Sequence, residues 1–201
     1  MIDFNSSQNS GLDLGIADGN IAMLQWDQQE SQQNYCSEDF FNQLAKMLVS
    51  LQKRTDLKGL IFTSSKDDCF FCDYHWEEIR AKNNNPGYET NLLNTASACL
   101  NLLETMPFPT VVGVNGPCVG SGFEFILAFD YRIGCDNRFT TFSLPGINMG
   151  IPSNASGVDN SGLRASWSTV LSTPTLTDGT AITTFNFTKG TDNWDPISEL
   201  N

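Results

Sequence analysis

Residues 111–136, VVGVNGPCVGSGFEFILAFDYRIGCD, run an apolar strand into a turn with three glycines and then set a glutamate among phenylalanines. Gly116, Gly120 and Gly122 free the backbone, and the last two open a short helix. Glu124 lies two positions inside that opening, flanked by Phe123, Phe125, Ile126 and Leu127. An ionised carboxylate in apolar surroundings is costly unless something pairs with it or uses it. The arrangement therefore reads as backbone amides and one carboxylate facing a common ligand. YRIGC (131–135) leaves this turn as another strand.

Upstream, the same alternation of elements repeats. NIAMLQW (20–26) reads as a strand, and Ser37 is an N-cap for a helix over 38–54. In that helix Phe40, Phe41, Leu44, Met47, Leu48 and Leu51 form one buried stripe. LKGLIFTS (57–64) is a compact strand, and CFFCDYHWEEIR (69–80) is a turn entering a helix. AKNNNPGYET (81–90) reads as a mobile polar loop. Leu92, Leu93, Ala96, Cys99, Leu100 and Leu103 mark a second amphipathic helix, ended by Pro107 and Pro109 before the strand TVVGVNG (110–116). Strands alternating with helices through short connections define an α/β class.

The 201-residue chain is 40% hydrophobic and carries 14 Phe and 4 Trp, enough for one core. A net charge of −12 with only 11 Lys and Arg argues against nucleic acid as a partner. It still allows an anionic small ligand held by a few local groups. The N-terminal stretch MIDFNSSQNSGLDLG has no basic region followed by an apolar one, and no apolar run reaches the ~20 residues that span a bilayer. The expectation is a soluble, cytoplasmic protein without a membrane partner.

Cys69 and Cys72 make a C-x-x-C, readable as a redox pair or half a metal site. With no second such pair and one histidine, His75, no metal is assigned, and the six cysteines read as small buried residues of a reducing compartment.

Three segments together resemble the crotonase superfamily, the enoyl-CoA hydratase/isomerase family: DLKGLIFTSSKDDCFFCDYHWEEI, MPFPTVVGVNGPCVGSGFEFILAFDYRIGCDN and FSLPGINMGIP. Their order and spacing carry the resemblance, which covers about residues 15–152 and is nearest to the N-terminal hydratase domain of the bacterial fatty-acid oxidation complex α-subunit. It implies an α/β, crotonase-like ββα spiral over 1–152, incomplete at the C-terminus, followed by a Ser/Thr-rich tail over 153–201 whose sequence suits β-hairpins or disorder. It also implies an acyl-CoA thioester substrate, no cofactor beyond that coenzyme A, and a homotrimer or larger homo-oligomer. The backbone amides of Tyr74 and Ser121 would form an oxyanion hole for the thioester carbonyl, and Glu124 would be the catalytic acid–base. Lys66 would meet coenzyme A phosphates, with Cys72 and Gly120 as further substrate-binding positions.

The departures from the family pattern are specific. Gly146 follows Pro145 where the family places its second catalytic glutamate, and the interval from Glu124 is about two residues longer. Asp73 stands where the family has Gly, putting a carboxylate beside the hole that weakens it if the side chain faces inward. Tyr74 replaces a small residue, and His75 an aspartate. The family's C-terminal helices have no counterpart after Pro152, which also fits a truncated or shifted reading frame. The implied activity is hydration of a 2-enoyl-CoA or a double-bond shift in fatty-acid β-oxidation. The alternative is a catalytically impaired acyl-CoA-binding or interaction protein. Ser121 as a nucleophile with His75 as base is a further reading, and Glu124 as a solvent-exposed first-turn residue another. Asp130 ends the short helix as a capping or pairing residue.

Overall fold

The computed structural model describes residues 4–5, 11–67, 69–82, 85, 87–136 and 138–145, and strands at 166–170 and 182–188. In chain order the elements are β1 (Phe4–Asn5), β2 (Leu12–Ala17), β3 (Ile21–Trp26), α1 (Glu38–Gln52), β4 (Gly59–Ser64), α2 (Trp76–Lys82) and α3 (Tyr88–Glu104). They continue with β5 (Thr110–Val114), β6 (Cys118–Val119), α4 (Ser121–Ile126), β7 (Tyr131–Cys135), β8 (Phe142–Ser143), β9 (Ser166–Val170) and β10 (Ile182–Thr188).

Eight strands form one sheet in the order β1-β2-β3-β4-β5-β7-β10-β9. Its centre, β3-β4-β5-β7, is parallel, and α1, α3 and α4 lie in the crossovers that parallel neighbours require. Antiparallel strands flank this centre on both sides. Beyond residue 152, β9 and β10 form a hairpin whose second strand pairs with β7, Ile182 opposite Cys135. A second, two-stranded parallel sheet, β6-β8, carries the glycine turn.

Local chemistry accounts for the helices. The Phe40 amide donates to Ser37 Oγ at 3.2 Å, capping α1, and Glu38 and Asp39 occupy its first turn, where the helix dipole favours acids. The loop expected over 81–90 is shorter than its composition suggests, because α2 reaches Lys82 and α3 starts at Tyr88. Tyr88 is buried, its hydroxyl donates to Glu78 Oε1 at 2.9 Å, and Lys82 lies over its ring. This tertiary anchor fixes the start of α3 within a polar stretch.

The core is built from leucine and phenylalanine, and the phenylalanine rings form one connected cluster. Phe71 packs edge-on against Phe40 and Phe125, with ring centroids 4.7 and 5.2 Å apart, and Phe125 packs likewise on Phe62 and Phe129. Phe71 lies two residues before Asp73, and Phe125 directly follows Glu124. The aromatic cluster therefore fixes the two segments that carry the candidate site.

Candidate active site

The segment 69–75 is clamped on two sides by main-chain bonds. On one side Cys72 N donates to Asn34 O, Cys36 N to Asp73 O and His75 N to Cys36 O, at 2.7, 3.2 and 3.3 Å. On the other, Phe70 and Phe71 amides reach Pro117 O, and Val119 N reaches Phe71 O at 3.1 Å. Asn34 is fully buried, and its side-chain amide donates to Ser64 Oγ and to the carbonyls of Trp26 and Phe70.

The glycine turn fits against this segment because two of its residues lack side chains. A Cβ on Gly122 would come within 2.4 Å of Phe71 O, a main-chain atom that cannot swing away. Gly120 has φ +58° and ψ −125°, a region that side chains disfavour, and a Cβ there would meet Asp73 Cγ at 2.4 Å. Its amide donates to Ser143 O at 2.9 Å, tying the turn to β8. At the far end of α4 the buried Arg132 guanidinium caps the carbonyls of Ile126, Leu127 and Phe129. Asp130 pairs with Thr110: its Oδ2 accepts from the Thr110 amide and hydroxyl, and its own amide donates back to Thr110 Oγ1.

Tyr74 and Ser121 are thereby brought together, with their amides aimed at one point. A single oxygen occupies that point, Asp73 Oδ1. It accepts from Tyr74 N at 2.8 Å, Ser121 N at 3.1 Å and Ser121 Oγ at 2.6 Å. The Asp73 side chain thus faces inward. Ser121 directs its hydroxyl proton to Asp73, while the His75 ring lies against Tyr35, so the two do not make a nucleophile–base pair.

Glu124 is 7% exposed, buried instead of lying on a solvated first turn. It lines a small pocket of about 260 Å³, open mouth included, with Tyr74, Ser121, Phe41 and, from α3, Ser97 and Leu100. Burial pushes the Tyr74 phenol well above its ordinary value, reinforced by Cys36 and Glu124 and opposed by a hydrogen bond with Ser121. Tyr74 is therefore a neutral hydroxyl at the pocket wall. Leu100 belongs to the apolar stripe legible in the sequence, whereas Ser97 lies outside that stripe. The small-residue run Ala96-Ser97-Ala98 within an amphipathic helix is the signal that could have marked a close approach.

Lys66 does not line this pocket. Its ammonium pairs with Asp27 at 2.6 Å and donates to the carbonyls of Gln28 and Ser31, pinning the loop after β3. Cys72 is half-buried with its Sγ 3.8 Å from Cys69 Sγ. Gly146 lies outside the described residues, as does the rest of the 146–152 segment. Among the described residues, no helix is long and apolar enough to cross a membrane, and no three His, Cys, Asp or Glu gather as metal ligands.

A parallel-centred sheet, a second small sheet presenting a glycine turn, and two converging amides beside a buried glutamate define a crotonase-like fold. Residues 17–161 match the enoyl-CoA hydratase/isomerase family, and the chain belongs to it. The fatty acid oxidation complex subunit alpha of Vibrio vulnificus is 29% identical over 151 residues, 75% of this chain and 21% of that protein. The same subunit of Aliivibrio fischeri is 30% identical over 141 residues, covering 70% of this chain and 20% of that one. The chain thus spans about a fifth of the length of these relatives. Among solved structures, an enoyl-CoA hydratase from Geobacillus kaustophilus superposes with a TM-score of 0.65 at 20% identity, over 77% of this chain and 55% of that one. Human enoyl coenzyme A hydratase domain-containing protein 3 gives 0.62 at 20% identity, over 70% of this chain and 53% of that one. At these identities the structural likeness establishes the fold.

Proposed function

We propose that the chain acts on enoyl-CoA thioesters in fatty-acid β-oxidation, as a hydratase or a double-bond isomerase. The observation that carries this reading is the convergence of the Tyr74 and Ser121 amides on one oxygen position beside the buried Glu124. A thioester carbonyl oxygen placed there would be polarised, and the negative charge it gains as an enolate would be held by two main-chain donors that need no reorganisation. Family membership supports the substrate class, and the oxidation-complex relatives support the pathway.

Glu124, the acid that lines the pocket, is the group assigned to shuttle the proton. In a double-bond shift, Glu124 takes a proton from the carbon next to the carbonyl, the electron pair delocalises onto the oxygen held by the two amides, and the same carboxyl returns the proton two carbons further on. In hydration, Glu124 takes a proton from water as hydroxide bonds to the β-carbon, and the proton returns to the α-carbon. With Gly146 in place of the family's second glutamate, the shift places the smaller demand on the site. The coenzyme A arrives as part of the substrate. The test is turnover of crotonyl-CoA, followed by loss of its enoyl-thioester absorbance, alongside isomerisation of a 3-enoyl-CoA. Activity that disappears in Glu124→Gln supports the reading. Binding of both thioesters without turnover would make the chain an acyl-CoA-binding protein.

A further inference from the structure

We propose that Asp73 is an internal ligand of the two converging amides and must leave before a thioester oxygen can enter. This inference rests on the acyl-CoA reading of the site. Asp73 Oδ1 fills the position an external oxygen would take, with two main-chain donors and one hydroxyl on a single atom. Hydrogen bonds to a charged acceptor are stronger than those to a neutral carbonyl, so a ground-state thioester competes at a disadvantage. The recess that accommodates the carboxylate exists because Gly120 has no side chain: a Cβ there would sit 2.4 Å from both Asp73 Cγ and Oδ2.

The donors do not depend on Asp73 for their placement. The main chain of 72–75 is held by Asn34 and Cys36, and Gly120 is held by Ser143. Rotation of one side chain would vacate the position and leave both amides where they are. Affinity for an acyl-CoA is then reduced by the fraction of time the position is empty, as for any ligand that needs a minor state. Asp73 is accordingly a specificity-determining residue, set against the substrate's own oxygen.

The experiment uses the full chain, Asp73→Ala and Asp73→Asn, each checked by thermal melting. Two readouts are taken: the amide ¹⁵N–¹H shifts of Tyr74 and Ser121 without ligand, and calorimetric titration with crotonyl-CoA and free coenzyme A. The expected result is that both amides move upfield together in Asp73→Ala. Crotonyl-CoA should then bind about tenfold tighter or better while free coenzyme A is unchanged. Asp73→Asn keeps an acceptor without the charge and should fall between; it carries the test if the alanine variant does not fold. Unmoved amides, or moved amides with crotonyl-CoA affinity no tighter although free coenzyme A binds, would overturn the proposal. Amides that move while neither thioester nor free coenzyme A binds any form would support the internal ligand and overturn the acyl-CoA reading instead.

Discussion

Asp73 and Ser121 are joined twice: the Ser121 amide and hydroxyl both donate to Asp73 Oδ1, at 3.1 and 2.6 Å. The two contacts differ in kind. The amide belongs to the backbone and would serve an incoming oxygen equally well, whereas the hydroxyl can be deleted without touching the turn. Ser121→Ala should therefore loosen Asp73 while leaving both amides available. A hydrogen bond to a charged group is worth about 1.5–3 kcal/mol, and part of that falls on stability. The expected outcome is crotonyl-CoA binding tightened about threefold or more by titration, with a small loss in denaturant midpoint. Weaker binding by a folded Ser121→Ala would show that the hydroxyl serves the ligand and not Asp73.

Glu124→Gln tests the acid. The amide is nearly isosteric with the carboxyl it replaces, so the side chain keeps its place in the pocket wall with Phe41, Tyr74 and Ser121. General acid–base catalysis contributes about 10²–10⁴-fold, and kcat should fall by that order while affinity for crotonyl-CoA stays within about threefold. Turnover surviving Glu124→Gln at near wild-type rate would remove Glu124 from the chemistry.

Much of this architecture could be read from residue patterns, because periodicity and turn chemistry are local. Ser37 as the α1 cap and the stripe through Phe40, Leu44, Leu48 and Leu51 follow from spacing alone. The strand β2 has its local signal in Asp18-Gly19-Asn20, which marks a hairpin: Gly19 and Asn20 both have positive φ, as tight antiparallel connections favour. The start of α3 escaped because Tyr88 is fixed by Glu78, a partner on another helix. For the site, the sequence supplied the glycine turn, Glu124 and the anomaly at Asp73. Which way Asp73 points was not accessible, since it depends on two segments 48 residues apart meeting at Gly120. Lys66 illustrates the converse. Its place before a motif is legible, but the carbonyls it meets belong to the loop after β3 and come within reach only in the fold.

The tight approach of the glycine turn predicts a contrast between two glycines. Gly122→Ala would put a methyl group 2.4 Å from Phe71 O, while Gly113→Ala would meet nothing closer than Thr63 Oγ1 at 3.8 Å. Overpacking of this kind typically costs about 1–3 kcal/mol, and the shift needed falls on the segment carrying Asp73 and Tyr74. Gly122→Ala should lower the unfolding free energy by that amount and weaken ligand binding, with Gly113→Ala close to wild type in both. Chemical denaturation of the pair checks this, and equal stabilities would mean that the turn can back away from Phe71.

The cysteine pair gives a pH prediction. Cys69 Sγ lies 3.8 Å from Cys72 Sγ. The hydrogen bond from the Cys72 thiol pulls Cys69 down to about 7 against the effect of burial, helped by the Asn34 amide and the Lys66 charge. The same bond, with burial, pushes Cys72 far up, so the pair releases one proton early and holds the other. Against an unfolded thiol near 8.5, the depressed Cys69 contributes stability that is fully present above the unfolded value and is lost as pH falls through about 7. Unfolding free energy should therefore climb between about pH 7 and 8.5 relative to Cys69→Ser. Above that window the raised Cys72 reverses the slope. Thiolate absorbance should report a single group appearing with a midpoint near 7, absent in Cys69→Ser and moved upward in Cys72→Ser. A first midpoint at or above the ordinary thiol value would mean that the two sulfurs do not share a proton.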